Sequence, residues 1–180
     1  NDRKADESPE LHAGSFHTSS RESRTSPAMK VFLAGIMQGS LTEKGLHDQD
    51  YRQLLRRALA RAFPEAEIYD PLADHRNSLD YEPKTGRDVF FHHNRMCREV
   101  DLLVAYLPQA SMGTAIEMWE AHQHGAAVVS ISPMRHNWAV KFLSHAIYPD
   151  VPAFLAAVES SEMARLVRRV RSPSPVEEAG

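Results

Sequence analysis

Short apolar runs alternate with stretches of helical periodicity from residue 29 to about residue 170. Lys30-Val31-Phe32-Leu33-Ala34-Gly35 is apolar without alternation and stops at glycine, as expected of a strand covered on both faces. Between Asp50 and Phe63, Tyr51, Leu54, Leu55, Ala58 and Ala62 recur on one helical face, with arginines expected on the other. Glu67-Ile68-Tyr69 predicts a second strand, ended by Asp70-Pro71. Residues 71–85 are polar and predict a loop long enough to carry function. Val89 to Cys97 predicts a helix, and Asp101 to Leu107 is the strongest strand signal, ended by Pro108. Ser111 is expected to cap a helix running to about His124, which Gly125 closes. Met112, Ala115, Ile116 and Trp119 of that helix are expected to face the core. Ala126 to Ile131 predicts a fourth strand; Asn137–Ser144 and Val151–Val170 predict helices.

Strands alternating with helices imply βαβ units. The fold class expected is a single α/β domain, Rossmann-like or flavodoxin-like, over residues 29–170, with a parallel sheet and helices on both faces. Residues 1–28 hold few apolar side chains, so burial cannot offset their ordering entropy, and a disordered tail is expected there. Residues 171–180, with Ser172-Pro173-Ser174-Pro175 and Glu177-Glu178, predict a second.

Composition adds exclusions. With 42% hydrophobic and 25% charged residues the chain is ordinary globular protein, neither collagen nor coiled coil. A net charge of −3 and a pI near 6.4 offer no global basic field for a nucleic-acid polymer or an acidic membrane. Arg165, Arg168, Arg169 and Arg171 are most simply a solvated helix face. No apolar run approaches the ~20 residues that span a bilayer. Cys97 has no partner for an internal disulfide, which suits a reducing compartment, and a cytoplasmic protein is expected.

In doubly wound sheets ligands bind beyond the carboxyl ends of the strands. Three segments fall there: Gly35 to Ser40 with Gln38, Asp70-Pro71, and Pro108 to Gly113. The first matches neither the dinucleotide fingerprint nor the P-loop. In the third, Ser111 can cap the helix, and its neighbouring amides favour an anionic or hydroxyl-rich group. Gly113 opens a path to the backbone, and Glu117, four residues on, shares its face. That carboxylate reads either as a nucleophile or base, or as an acid placed for dipole and solubility. Asn137, after the fourth strand, either enters a binding site or caps its helix. The histidines lack the spacing of a zinc site, so no metal is expected.

From Met29 to about Ser144 the chain resembles the nucleoside 2-deoxyribosyltransferase family, which includes nucleoside 5′-monophosphate N-glycosidases. Phe32-Leu33-Ala34-Gly35, Asp101 to Pro108, and above all Ser111-Met112-Gly113-Thr114-Ala115-Ile116-Glu117-Met118 carry the resemblance. It implies that Glu117 attacks the anomeric carbon to form a glycosyl-enzyme, with retention of configuration. The family's acid, an aspartate eight residues before the third strand's Asp, is here His93. Histidine as acid implies a rate that falls as pH rises through the ordinary imidazole pKa; Asp74, Asp80 and Asp88 are other acids nearby in sequence. Ser111 implies a phosphate contact, whereas Met37 and Gln38 stand where the phosphate enzymes have a basic residue. The substrate-binding set so implied is Gly35, Gln38, Asp70, Ser111, Gly113 and Asn137. The partner is a small nucleoside or nucleotide, no cofactor or metal is needed, and a homodimer or larger homo-oligomer is expected, with Trp138, Val140, Phe142 and Leu143 near the contact. A non-catalytic nucleoside or nucleotide sensor and a plain interaction module are the alternatives.

Overall fold

The computed structural model describes residues 28–39 and 41–172. The expected tails therefore lie outside it apart from positions 28, 171 and 172. The apolar runs become five parallel strands: β1 (Lys30–Gly35), β2 (Glu67–Tyr69), β3 (Leu102–Tyr106), β4 (Ala127–Ile131) and β5 (Ala146–Tyr148), in the order β2-β1-β3-β4-β5. This is the flavodoxin-like order of a doubly wound sheet. Helices α1 (Tyr51–Ala62), α2 (Pro71–Asp74), α3 (Pro83–Met96), α4 (Met112–Gln123), α5 (Trp138–Leu143), α6 (Val151–Glu159) and α7 (Glu162–Arg171) connect and flank the strands.

Successive strand residues face opposite ways, and each face has its own core. Val31, Leu33, Leu102, Val104 and Val129 meet Leu55 and Leu59 of α1, Phe154 of α6, and Met163 and Leu166 of α7. Phe32, Ala34, Leu103, Ala105 and Val128 meet Cys97 just after α3, Met118 and Ala121 of α4, and Val140 of α5. Such burial on both sides is why the strands read as unbroken apolar runs. Asp101 fixes the far end of the sheet: its Oδ2 accepts from the Lys30 N–H (2.7 Å) and its Oδ1 pairs with Arg171 (2.8 Å). Arg171 thus belongs to the folded unit as the last residue of α7.

Several expectations change. The buried stripe of α1 is Arg52, Leu55 and Leu59, while Leu54 is exposed. Residues 71–85 are not one loop: α2, a 3-10 turn at Ser78–Asp80, and the start of α3 at Pro83 divide them. The Val151–Val170 helix breaks at Ser161, in the left-handed region at φ 61°. In α4 the core face is Thr114, Met118 and Ala121; Met112, Ile116 and Trp119 are exposed, so the expected inward face was rotated. Among the described residues no helix is long and apolar enough to cross a membrane.

Candidate active site

With order 2-1-3-4-5 the chain leaves β1 and β3 in opposite directions, which opens a crevice between their carboxyl ends. Gly35 and Tyr106 pair in register there, and the Ile36 N–H donates to the Tyr106 carbonyl (3.0 Å). Above this edge lies a cavity of about 500 Å³. Gly35 and Gln38 come to it from the β1–α1 loop, His93 from α3, and Ser111, Gly113 and Glu117 from the start of α4. Six of the eight residues singled out in the sequence therefore share one cavity. Asp70 and Asn137 do not line it.

Glycine at 35 and 113 serves two different needs. A Cβ at position 35 would collide with the Tyr51 hydroxyl, whose ring stacks on Tyr106 with centroids 4.0 Å apart. At position 113 a Cβ would meet nothing within 4 Å, so here the glycine leaves room in the cavity itself. Ser111 caps α4: its Oγ accepts from the Thr114 N–H (3.4 Å) and from Thr114 Oγ1 (3.0 Å). Ser111 also lines the cavity, beside the first-turn amides of α4.

Burial pushes the Glu117 carboxyl up to about 8, and the positive charge of Arg52 pulls the other way. Glu117 as a whole is half-buried and lines the cavity. Arg52 is only 3% exposed. It spans the ends of two strands: Nη1 donates to the Leu33 carbonyl (3.0 Å) and to Asp70 Oδ1 (2.9 Å), and Nε to Gln49 Oε1 (2.7 Å). Asp70, which also accepts from the Leu72 N–H (3.1 Å), is thus a partner of Arg52 and the cap of α2. Arg52 went unrecognised because arginine is usually solvated. Its spacing of three and seven residues before Leu55 and Leu59 was the available signal.

His93 lies on α3 with its Nε2 3.1 Å from the Tyr69 hydroxyl. Burial, followed by His75 and His92, lowers its pKa to about 4, against a smaller opposing pull from Asp74. At neutral pH the ring is uncharged, so a rate limb at the ordinary imidazole pKa no longer follows. The other acids near it in sequence are engaged or outside: Asp80 pairs with Lys44 (2.6 Å), Asp88 with Lys84 (2.8 Å), and Asp74 does not line the cavity. Asn137 caps α5, accepting from the Ala139 (3.0 Å) and Val140 (3.3 Å) amides. It borders a separate cavity of about 170 Å³ behind Ser111 and Met112.

No protein-family model matches the chain, and no curated protein matches it by sequence. Solved structures do match. A 2-deoxyribosyltransferase from the psychrotolerant bacterium Bacillus psychrosaccharolyticus superposes with a TM-score of 0.57 at 17% identity, over 76% of this chain and 95% of that one. The solution structure of BlsM gives 0.58 at 18% identity, over 82% and 97%. A conserved protein from Enterococcus faecalis V583 gives 0.52 at 16%, over 74% and 98%. At these identities the likeness is one of fold, and it is the fold that the sequence resemblance implied.

Proposed function

We propose that the protein cleaves or transfers the N-glycosidic bond of a (deoxy)nucleoside or nucleoside 5′-monophosphate, with Glu117 as nucleophile. One observation carries this reading: a glutamate lining the cavity stands four residues beyond a glycine whose missing side chain leaves open space in it. The sugar sits over Gly113, so that a Glu117 oxygen reaches the anomeric carbon. The carboxylate displaces the base, and water or a second base then attacks the same carbon from the vacated side. Two displacements retain configuration. Ser111 and the α4 amides receive the 5′ group by hydrogen bonds and dipole attraction, without a bidentate arginine. His93, neutral, holds the departing base: when Tyr69 donates to Nε2, the ring proton resides on Nδ1.

The protein acts as a homodimer or larger through the α4–α5 surface, and its place is the cytoplasm, where a reduced thiol such as Cys97 persists. The absence of an acidic side chain at position 93 favours the second reading, a sensor that binds nucleosides without turnover. Incubation with deoxynucleosides plus a free base, followed by chromatography, separates the two. Base release or exchange is expected, and Glu117→Ala should lower it by about a thousandfold or more with the fold intact. Near-normal turnover in folded Glu117→Ala contradicts the mechanism; binding without turnover favours the sensor.

A further inference from the structure

The cavity holding Glu117 adjoins a second one of about 290 Å³, and Met37, Gln38, Phe90 and His93 line both. With the sugar over Gly113, this second chamber receives the base. Among the described residues its wall holds no carboxylate, lysine or arginine: Met37, Leu79 and Phe90 form the apolar side, His75, Tyr81 and His93 the polar side. The polar groups are paired among themselves, His75 Nδ1 with the Tyr81 hydroxyl (3.0 Å) and His93 Nε2 with the Tyr69 hydroxyl (3.1 Å). Several charged groups of the surrounding elements are engaged elsewhere. Asp80 pairs with Lys44, Asp88 pairs with Lys84, and Arg87 lies over the Phe91 ring. Asp74, at the end of α2, acts on both His93 and Tyr69, and Asp70, paired with Arg52, acts on Tyr69 as well.

Resting on the N-glycoside reading above, we propose that the base held in this chamber carries a positive ring charge, as in an N-glycosyl pyridinium, rather than being a neutral purine or pyrimidine. A neutral base leaves as an anion unless an acid protonates it as the bond breaks. Among the described residues the chamber wall presents imidazoles and a phenol but no carboxyl group, the usual acid for such a departure. A cationic ring needs no proton. Glu117 attacks the anomeric carbon, the carbon–nitrogen bond breaks, and its electron pair returns to the ring nitrogen, so the base departs neutral. Water then opens the glycosyl ester, Glu117 leaves as carboxylate, and the water's second proton passes to solvent. The rings of Tyr81 and Phe90 line the chamber and suit a flat cation, and Asp74 adds a negative field. The arriving charge also favours the ionised form of Glu117, which burial alone disfavours.

The test compares nicotinamide and cytosine, single rings of similar size, each as riboside, 2′-deoxyriboside and ribosyl 5′-monophosphate, with base release followed chromatographically. The nicotinamide compounds are expected to be cleaved with kcat/KM at least a hundredfold above their cytosine counterparts. In His93→Asp, checked for folding by thermal melting, a carboxyl acid joins the wall, and cytosine release should rise at least tenfold while nicotinamide release does not. Cytosine compounds cleaved as well as or better than nicotinamide ones would overturn the inference and leave the N-glycoside reading standing. So would cytosine release that folded His93→Asp fails to raise. Cleavage of no compound by folded protein would overturn both.

Discussion

Glu117 is costly where it stands, and its cost has a definite sign. Its folded pKa lies near 8, against an ordinary value of about 4.5. Between those values the folded protein holds a proton that the unfolded chain releases, so stability falls as pH rises across this window. Above pH 8 the penalty is complete, on the order of 4 kcal/mol. Glu117→Gln is therefore expected to be the more stable protein at pH 9 and to converge with the unaltered protein near pH 5, as read by urea unfolding at the two pH values. An acid that weakens the fold it sits in is the usual signature of a functional group. With Glu117 as the proposed nucleophile, the same ionisation is expected to govern turnover. Since the nucleophile must be charged, kcat/KM should climb about tenfold per pH unit up to about 8 and then level off. His93, already neutral above about 4, adds no limb between pH 5 and 9. A profile flat from pH 6 to 9 would contradict the assignment of Glu117.

Among the elements, legibility tracked how locally each was specified. β1, β3 and β4 are buried on both faces, so their sequences carry nothing but strand signal. The starts of α4 and α5 were legible because Ser111 and Asn137 cap by local hydrogen bonds. β5 was missed: Ala146-Ile147-Tyr148 is three half-buried residues whose strand character comes from pairing with β4. The start of α3 was obscured by Pro83 and Gly86, although proline is well tolerated at a first helical position. Arg52 and the exposed Met112 and Trp119 depend on neighbours distant in sequence, which periodicity does not register. The break between α6 and α7 is likewise tertiary, made by Ser161 at φ 61° so that Phe154 and Met163 reach the same core. A non-glycine residue in that region costs roughly 1–2 kcal/mol. Ser161→Gly should accordingly raise the unfolding free energy by about 1 kcal/mol, visible as a Tm several degrees higher at unchanged activity. A lower Tm would show that the Ser161 side chain contributes more than its backbone costs.

At the scale of the whole molecule the uncovered surface is uneven. Trp138 is 78% exposed, Met112 82% and Phe142 58%, and these residues cluster on the packed pair α4 and α5. Met112 and Ile116 also line the cavity that holds Glu117, so a second copy seated on this surface would cover one side of the site. A dimer or larger species is expected in sedimentation velocity at tens of micromolar, a concentration range typical of stable homodimers. Trp138→Lys should yield a folded monomer, since the side chain it removes supports little of the core. A monomer in the unaltered protein would contradict the assembly while leaving the chemistry untouched.

With Glu117 as nucleophile, its carboxyl becomes covalently attached to the sugar during turnover. A 2-deoxy-2-fluoro-arabinosyl nucleoside slows both displacements, and the second can be slowed enough for the intermediate to accumulate. Intact-protein mass spectrometry should then show a gain equal to one fluorosugar, and peptide mapping should place it on Glu117 within α4, with no gain in Glu117→Gln. Base release with no adduct at any time, or an adduct on another residue, would contradict the account.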